Sequence, residues 1–452
     1  MKTRTLGVIM GLLFPVLVLA GMGDSPFQTM TLDNGMDIIV IENRTVPLAT
    51  IEVVVKNGAY TEPPEFDGLS HLYEHMFFKA NAELPNQEAY MERARELGMI
   101  WNGTTSDERV NYFFTLPADS LRQGMVFMKN AIRYPLFLEE EMAKENHVVD
   151  GEFDRNEASP FFQVYRALNY KLFSAYWSRK NTIGNREVIL NATPEKMRTI
   201  QNRYYVPNNS ALIIAGDVHA DEVFAMAEEM YGDRERAADP FEQFPVPEHP
   251  PLKTTMDTVV TQPVNVSMLM IGWHGPKALD DVKSTFAADV FSFILSQKTS
   301  KFQKNLVDSG IALQADLGYY TLQHTGPITA NIVTAPGNVL KAKEAFMQEV
   351  SQFTDPEYFT DEQLETAKNL LEVDAIYARE KASEYAHTVS FWWAVTGLDY
   401  YEEYFKNLRA VTREDIVNYV NTYIIDQPHV VAALVSPEVQ ESLELTEGSL
   451  VR

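Results

Sequence analysis

An α+β fold of two homologous units, each a mainly antiparallel sheet covered by helices, is what this sequence predicts, on three observations. Apolar runs of strand character, such as MDIIVIEN (36–43) and ATIEVVVKNGA (49–59), are interspersed among stretches of helical period without regular alternation, which favours α+β over a parallel sheet. Prolines crowd a single charged stretch, DRERAADPFEQFPVPEHPPLKT from Asp233 to Thr254, where neither a helix interior nor a central strand can form, so it reads as a linker. On either side of that linker, similar patterns recur in the same order.

Taken from the start, residues 1–20 read as a signal peptide. Lys2 and Arg4 precede an apolar run from Leu6 to Ala20 that ends in small residues, with Val18 and Ala20 suiting the −3 and −1 cleavage positions. The run is shorter than the roughly 20 residues a spanning helix needs, and no later segment is long and apolar enough to cross a bilayer. The expectation is a periplasmic or otherwise exported chain with no membrane span after signal removal, an uncleaved signal serving as a tether being the alternative. The first unit then occupies 21–232, the linker 233–254 and the second unit 255–452. Leu97–Met128 gives strand, turn, strand and helix, and Ser309–Met347 repeats it; Thr193–Val218 gives helix, break and buried strand, and Thr412–Ser436 repeats that.

Composition narrows the function. The chain has 452 residues, 45% of them apolar and 22% charged, as a folded protein with a sizeable core requires. Its net charge of −25 repels phosphate backbones and argues against nucleic-acid partners. With no cysteine, disulfides, thiolate nucleophiles and cysteine-ligated metals are all excluded. Any metal must be held by histidines and carboxylates.

The residues that meet that requirement lie in DGLSHLYEHMFFKA, Asp67 to Ala80, as His71, Glu74 and His75. Asp67 or Ser70 can cap a helix here, and Leu69, Leu72, Met76 and Phe77 recur at helical spacing as its apolar face. Four residues apart, His71 and His75 project from one side of that helix and can grip one zinc ion. Glu74 sits close enough to reach water at the metal without being a ligand, as a general base must. Three ionisable groups among Leu, Met and Phe are costly to bury without a partner, and a metal supplies one.

Catalytic zinc takes three protein ligands and keeps one position open, so a third ligand is needed. FLEEEMAKENHVVDGEFDRN, Phe137 to Asn156, reads as a helix on which Glu145 and Glu152, seven apart, share a face with Val148 and Val149 between them. Either glutamate suits the role by spacing, while His147 falls on the opposite side and is a poorer ligand.

HLYEHMFFKA resembles the inverted zinc-binding motif of the insulinase/pitrilysin peptidases, and ENHVVDGEF resembles the segment that carries their third ligand. WNGTTSDERVNYFFTLP (Trp101 to Pro117) and YYVPNNSALIIAGDV match further family segments, and the two-unit length is similar to that of the shorter branch, which includes processing peptidases and bacterial homologues. The resemblance implies a zinc metalloendopeptidase acting on short or unfolded polypeptides, with one zinc per chain. It implies His71, His75 and Glu152 as ligands, Glu74 as general base, Glu145 as the group that orients a ligand, and Asn102 and Gly103 on a substrate-binding edge strand. Pairing with a homologous partner subunit, as heterodimer or homodimer, is implied as well.

One departure bears on that pairing. Relatives place an arginine and a tyrosine in a second unit to hold substrate, but no arginine lies between Phe302 and Phe346, and Tyr319 and Tyr320 cannot complete the pair alone. The expectation is that a partner supplies the missing groups. A non-catalytic scaffold, or a peptide-binding subunit with a structural zinc, is the alternative. Outside the motif and His147, no two histidines sit at ligand spacing, and the aromatic run Phe391 to Phe405 reads as core or subunit contact.

Overall fold

The computed structural model describes residues 27–451, so the expected signal segment lies outside the described residues. The first sheet contains β1 (Gln28–Thr31), β2 (Asp37–Glu42), β3 (Leu48–Val55), β4 (Ile100–Thr105), β5 (Val110–Pro117) and β6 (Ser210–Gly216), in the order β1-β2-β6-β3-β5-β4. The second contains β7 (Met256–Thr261), β8 (Ser267–His274), β9 (Gln314–Tyr319), β10 (Pro327–Thr334) and β11 (Val430–Val435), in the order β7-β11-β8-β10-β9. With β1 set aside, the two orders are the same. In each sheet the first strand lies parallel to the last, β2 to β6 and β7 to β11, and the remaining pairs are antiparallel. A duplicated unit has this consequence, and the recurring patterns along the chain express it.

Central strands β3, β6 and β11 are buried along almost their whole length, which is why they are dominated by Val, Ile, Leu and Ala without polar alternation, Thr50 and Glu52 of β3 being buried too. Both faces of each sheet must therefore be covered. Ile51, Val53, Leu212 and Ile214 point into the core that holds the HxxEH helix, while Ile39, Val54, Ala211 and Ile213 point the other way. The cover on that second face comes from the other half of the chain: Tyr385, Ala386, Val389 and Trp393 of helix Ala382–Val395. Reciprocally, Val164, Leu168 and Leu172 of helix Pro160–Leu172 pack on Val430, Ala432 and Leu434 of the second sheet. The halves are interlocked by exchanged helices.

The exchange is pinned by polar contacts. His387 Nδ1 bonds the fully buried Glu52 Oε2 at 2.5 Å, Arg109 donates to the His387 carbonyl and Ser390 Oγ at 2.9 Å each, and Trp393 Nε1 donates to Asp37 Oδ2 at 2.8 Å. The stretch 233–254 is irregular apart from a short helix, Pro240–Gln243, opened by Asp239. The aromatic run is core: Trp393, Tyr400, Tyr401 and Tyr404 are all buried.

Candidate metal centre and its cavity

The HxxEH helix, Leu69–Phe77, buries Leu69, Leu72, Met76 and Phe77 as its spacing predicts. Its start differs from expectation. Neither Asp67 nor Ser70 caps it; the N-cap position is Gly68, at φ 92°, and the buried Glu62 reaches back to accept from the Gly68 N–H at 2.6 Å and the Ser70 N–H at 2.5 Å. Those are orphan donors of the first turn, satisfied here by a carboxylate at the positive end of the helix. Gly68 meets Gly184 backbone to backbone: a Cβ on Gly184 would stand 2.2 Å from the Gly68 Cα, so only glycine fits at this entry. Asp67 accepts instead from Asn181 Nδ2 at 3.0 Å.

One turn apart, the two imidazoles converge. His71 Nε2 and His75 Nε2 are 3.3 Å apart, and Glu152 Oε2 lies 3.4 Å from the first and 3.8 Å from the second. Zinc bonds of about 2.0–2.1 Å at tetrahedral angles put neighbouring donor atoms roughly 3.3–3.4 Å apart, so the triangle fits one zinc ion. Its chemistry fits as well. Burial pushes the His71 imidazole down to about 3, the neighbouring His75 adding to the effect, so His71 is neutral and free to ligate at neutral pH. Burial works against a charged His75, but its bond to Glu145 and the charges of Glu145, Glu74 and Glu152 outweigh it and raise the pKa. It is the convergence of two imidazole nitrogens and a carboxylate oxygen at this spacing that makes the site suited to a cation.

Helix Glu139–Glu157 supplies both glutamates. The buried Glu145 accepts from His75 Nδ1 at 2.7 Å and pairs with Lys79 Nζ at 2.5 Å, which leaves the His75 Nε2 lone pair directed at the centre. These two contacts overcome the effect of burial and hold the Glu145 carboxyl below its ordinary range. Glu152, half-buried, faces the centre. Val149 is buried as expected, but Val148, half exposed, faces away, and His147 is exposed and takes no part.

Glu74 stands beside the triangle. Thr105 Oγ1 donates to its Oε2 at 2.8 Å, and burial raises its pKa against that bond and the nearby His75. Gly103, on edge strand β4, lies against it: a Cβ there would come 2.8 Å from Glu74 Cγ. Together these groups line one wall of a cavity of about 450 Å³. Gly103 is thus brought to the site, whereas Asn102, the next residue on the strand, is exposed and outside the cavity wall. Tyr319 donates to the Pro276 carbonyl at 2.9 Å, and neither it nor Tyr320 lines the cavity. Among the described residues no other group of His and carboxylates clusters in this way.

Sequence reasoning missed Glu62, Lys79 and Thr105. Lys79 had only a weak signal, a lysine just beyond the end of the motif helix at Phe77 and close in sequence to His75. Glu62 and Thr105 had none, because their partners are set by tertiary packing.

A helix-borne His-His-Glu centre with an adjacent glutamate, on a duplicated α+β scaffold, defines a class of zinc metallopeptidase-like proteins. The model described as insulinase (peptidase family M16) matches residues 38–184, and that described as the peptidase M16 inactive domain matches residues 191–371; the chain belongs to this insulinase/pitrilysin-like family. The insulin-degrading enzyme homolog of Dictyostelium discoideum is 24% identical over 53% of the chain, which spans only 24% of that relative's length. Zinc protease PqqE of Helicobacter pylori is 24% identical over 88% of the chain and 90% of its own. A crystal structure of a Helicobacter pylori protease has the same fold, with a TM-score of 0.81, 21% identity and coverage of 90% of this chain and 99% of that one. The periplasmic protease PqqL of Escherichia coli gives a TM-score of 0.76 at 16% identity, covering 95% of this chain and 49% of that one.

Proposed function

We propose that this chain is an exported zinc metalloendopeptidase that hydrolyses short or unfolded polypeptides. One observation carries the reading: His71 Nε2, His75 Nε2 and Glu152 Oε2 converge to zinc-ligand spacing at a cavity that Glu74 also lines. His71, His75 and Glu152 would hold the ion, and Glu145, anchored by Lys79, keeps His75 turned towards it. When bound, zinc supplies the charge that polarises a peptide carbonyl and brings the pKa of water at the site near neutrality. Glu74 Oε1 takes the proton of the attacking water while Thr105 steadies Oε2, and the raised pKa suits Glu74 to pass that proton to the departing amine. An extended peptide added to the free edge of β4 would run past Gly103 and be held by main-chain bonds that tolerate varied sequence.

Export is supported by the residues of 1–20, and no helix among the described residues is long and apolar enough to cross a membrane. A homologous partner is supported by the periplasmic neighbour, whose chain is about twice the length matched here, and by the lack of a substrate-holding arginine in the second unit.

The test is elemental analysis and turnover on wild type, Glu74→Gln and Glu152→Gln. About one zinc per chain in wild type and Glu74→Gln, loss of zinc in Glu152→Gln, and, in the presence of the partner, peptide cleavage by wild type but by neither variant are expected. Zinc retained with equal behaviour of wild type and Glu74→Gln, in the presence of the partner, would favour the scaffold or structural-zinc reading.

A further inference from the structure

Besides His71, Glu74 and Glu152, the cavity is lined by Phe162, Tyr165, Arg166 and Trp177. Resting on the peptidase reading above, we propose that Arg166 selects an acidic side chain of the substrate close to the scissile bond, with the three aromatic rings packing its aliphatic part.

Arg166 is carried on helix Pro160–Leu172, whose Val164, Leu168 and Leu172 are almost wholly buried against the second sheet, so the guanidinium is presented from a rigid element. Its hydrogen bond among the described residues is a single 3.3 Å contact from one terminal nitrogen to Glu157, a carboxylate that also meets Arg186 at 3.2 Å. That loose pairing leaves the guanidinium able to accept a carboxylate through two parallel N–H bonds. Lys180, the other cation of this cavity, is differently placed: it is buried and donates to the His324 and Thr325 carbonyls at 2.9 and 3.1 Å.

The carboxylates that line the same cavity are also engaged: Glu74 accepts from Thr105, and Glu152 meets Arg155 at 3.3 Å and belongs to the His-His-Glu triangle, where a bound divalent cation would offset its charge. Arg166, near enough to Asp67 to act on its carboxyl and bonded loosely to Glu157, is the cation of this cavity with donors left for an incoming side chain. A net charge of −25 over the whole molecule suggests basic substrates, but surface charge is screened within roughly 10 Å at physiological salt, so a cation lining the cavity itself acts on a bound side chain more directly than the distant surface does. A lysine or arginine placed there meets like charge, and a glutamate meets a fork of donors. At about 450 Å³, the space is of the size that encloses a small ligand.

Zinc-loaded full-length chain bearing Glu74→Gln binds without turnover, which allows affinity to be read independently of activity. A fluorescent decapeptide with glutamate, glutamine or lysine scanned through its central positions is titrated against this protein and against its Arg166→Glu and Arg166→Met derivatives. At one position, glutamate is expected to bind about tenfold or more tightly than lysine; Arg166→Met should abolish the preference and Arg166→Glu reverse it. A glutamate-to-lysine ratio unchanged in both derivatives, or no charge preference at any position, overturns the proposal. Cleavage by wild type, measured in parallel with the same peptides, separates the two readings. Charge-selective binding without cleavage of any peptide removes the peptidase and leaves the acid-reading cavity; cleavage indifferent to charge does the reverse.

Discussion

Thr105 Oγ1 holds Glu74 Oε2 at 2.8 Å from the edge strand, while Gly103, two residues earlier on the same strand, leaves the space in which Glu74 lies. One short strand thus both steadies the prospective base and makes room for it. Gly103→Ala should therefore push Glu74 aside, since the added Cβ would stand 2.8 Å from its Cγ. Zinc content should be unchanged and kcat reduced by about 100-fold, the usual result of displacing a reacting group by roughly 1 Å. Elemental analysis beside single-turnover kinetics checks this, and loss of zinc would mean that the strand supports the ligands rather than Glu74.

Lys79 has no direct contact with the metal position, yet its 2.5 Å pairing with Glu145 orients the carboxylate that orients His75. Lys79→Met should weaken zinc binding by about 10–100-fold, as losses of this kind do elsewhere, and Glu145→Gln by a similar factor. If the two act through one chain of contacts, the double variant should be little worse than either single one. Competition against a chelator of known affinity measures all three.

Burial raises the Asp67 carboxyl to about 6, against its bond from Asn181. Because the folded pKa lies above the unfolded value of 3.8, the folded state retains this proton while the unfolded chain has lost it, between about pH 4 and 6. The group's contribution is present in full below pH 4 and declines as pH rises to 6, by on the order of 3 kcal/mol. Asp67→Asn lacks that slope, so the stability difference between variant and wild type should itself change across this range. Urea unfolding of metal-free protein at pH 4 to 7 tests it; a difference independent of pH would show that folding leaves the Asp67 pKa unmoved.

Glu52 is fully buried, and its Oε2 partner is His387 on the exchanged helix. His387→Ala leaves that carboxylate with Asn111 alone, and removing one member of a buried pair typically destabilises by about 3–5 kcal/mol. Limited proteolysis should then cut first around helix Ala382–Val395. A wild-type cleavage pattern with unchanged denaturant midpoint would mean that apolar packing alone holds the helix.

Much of this was legible along the chain. HxxEH spacing sets His71 and His75 on one side of a helix because the helical repeat brings residues four apart together, whatever surrounds them. The duplication was legible for a similar reason, since strand and helix periodicities are local and recur in the same order, and both sheets show it. Between Glu145 and Glu152, periodicity could not choose. Both face the motif, and only the approach of helix Glu139–Glu157 puts one against His75 Nδ1 and the other at the centre.

Local spacing along the chain, then, determined the elements, their repetition and three of the groups at the centre, because those follow from backbone geometry that needs no partner. Tertiary structure alone decided that each half covers the other's sheet, that Glu62 rather than Asp67 caps the motif helix, and that Arg166 lines the same cavity as Glu74. Those are contacts between segments far apart in sequence, settled by which apolar faces must be buried against each other.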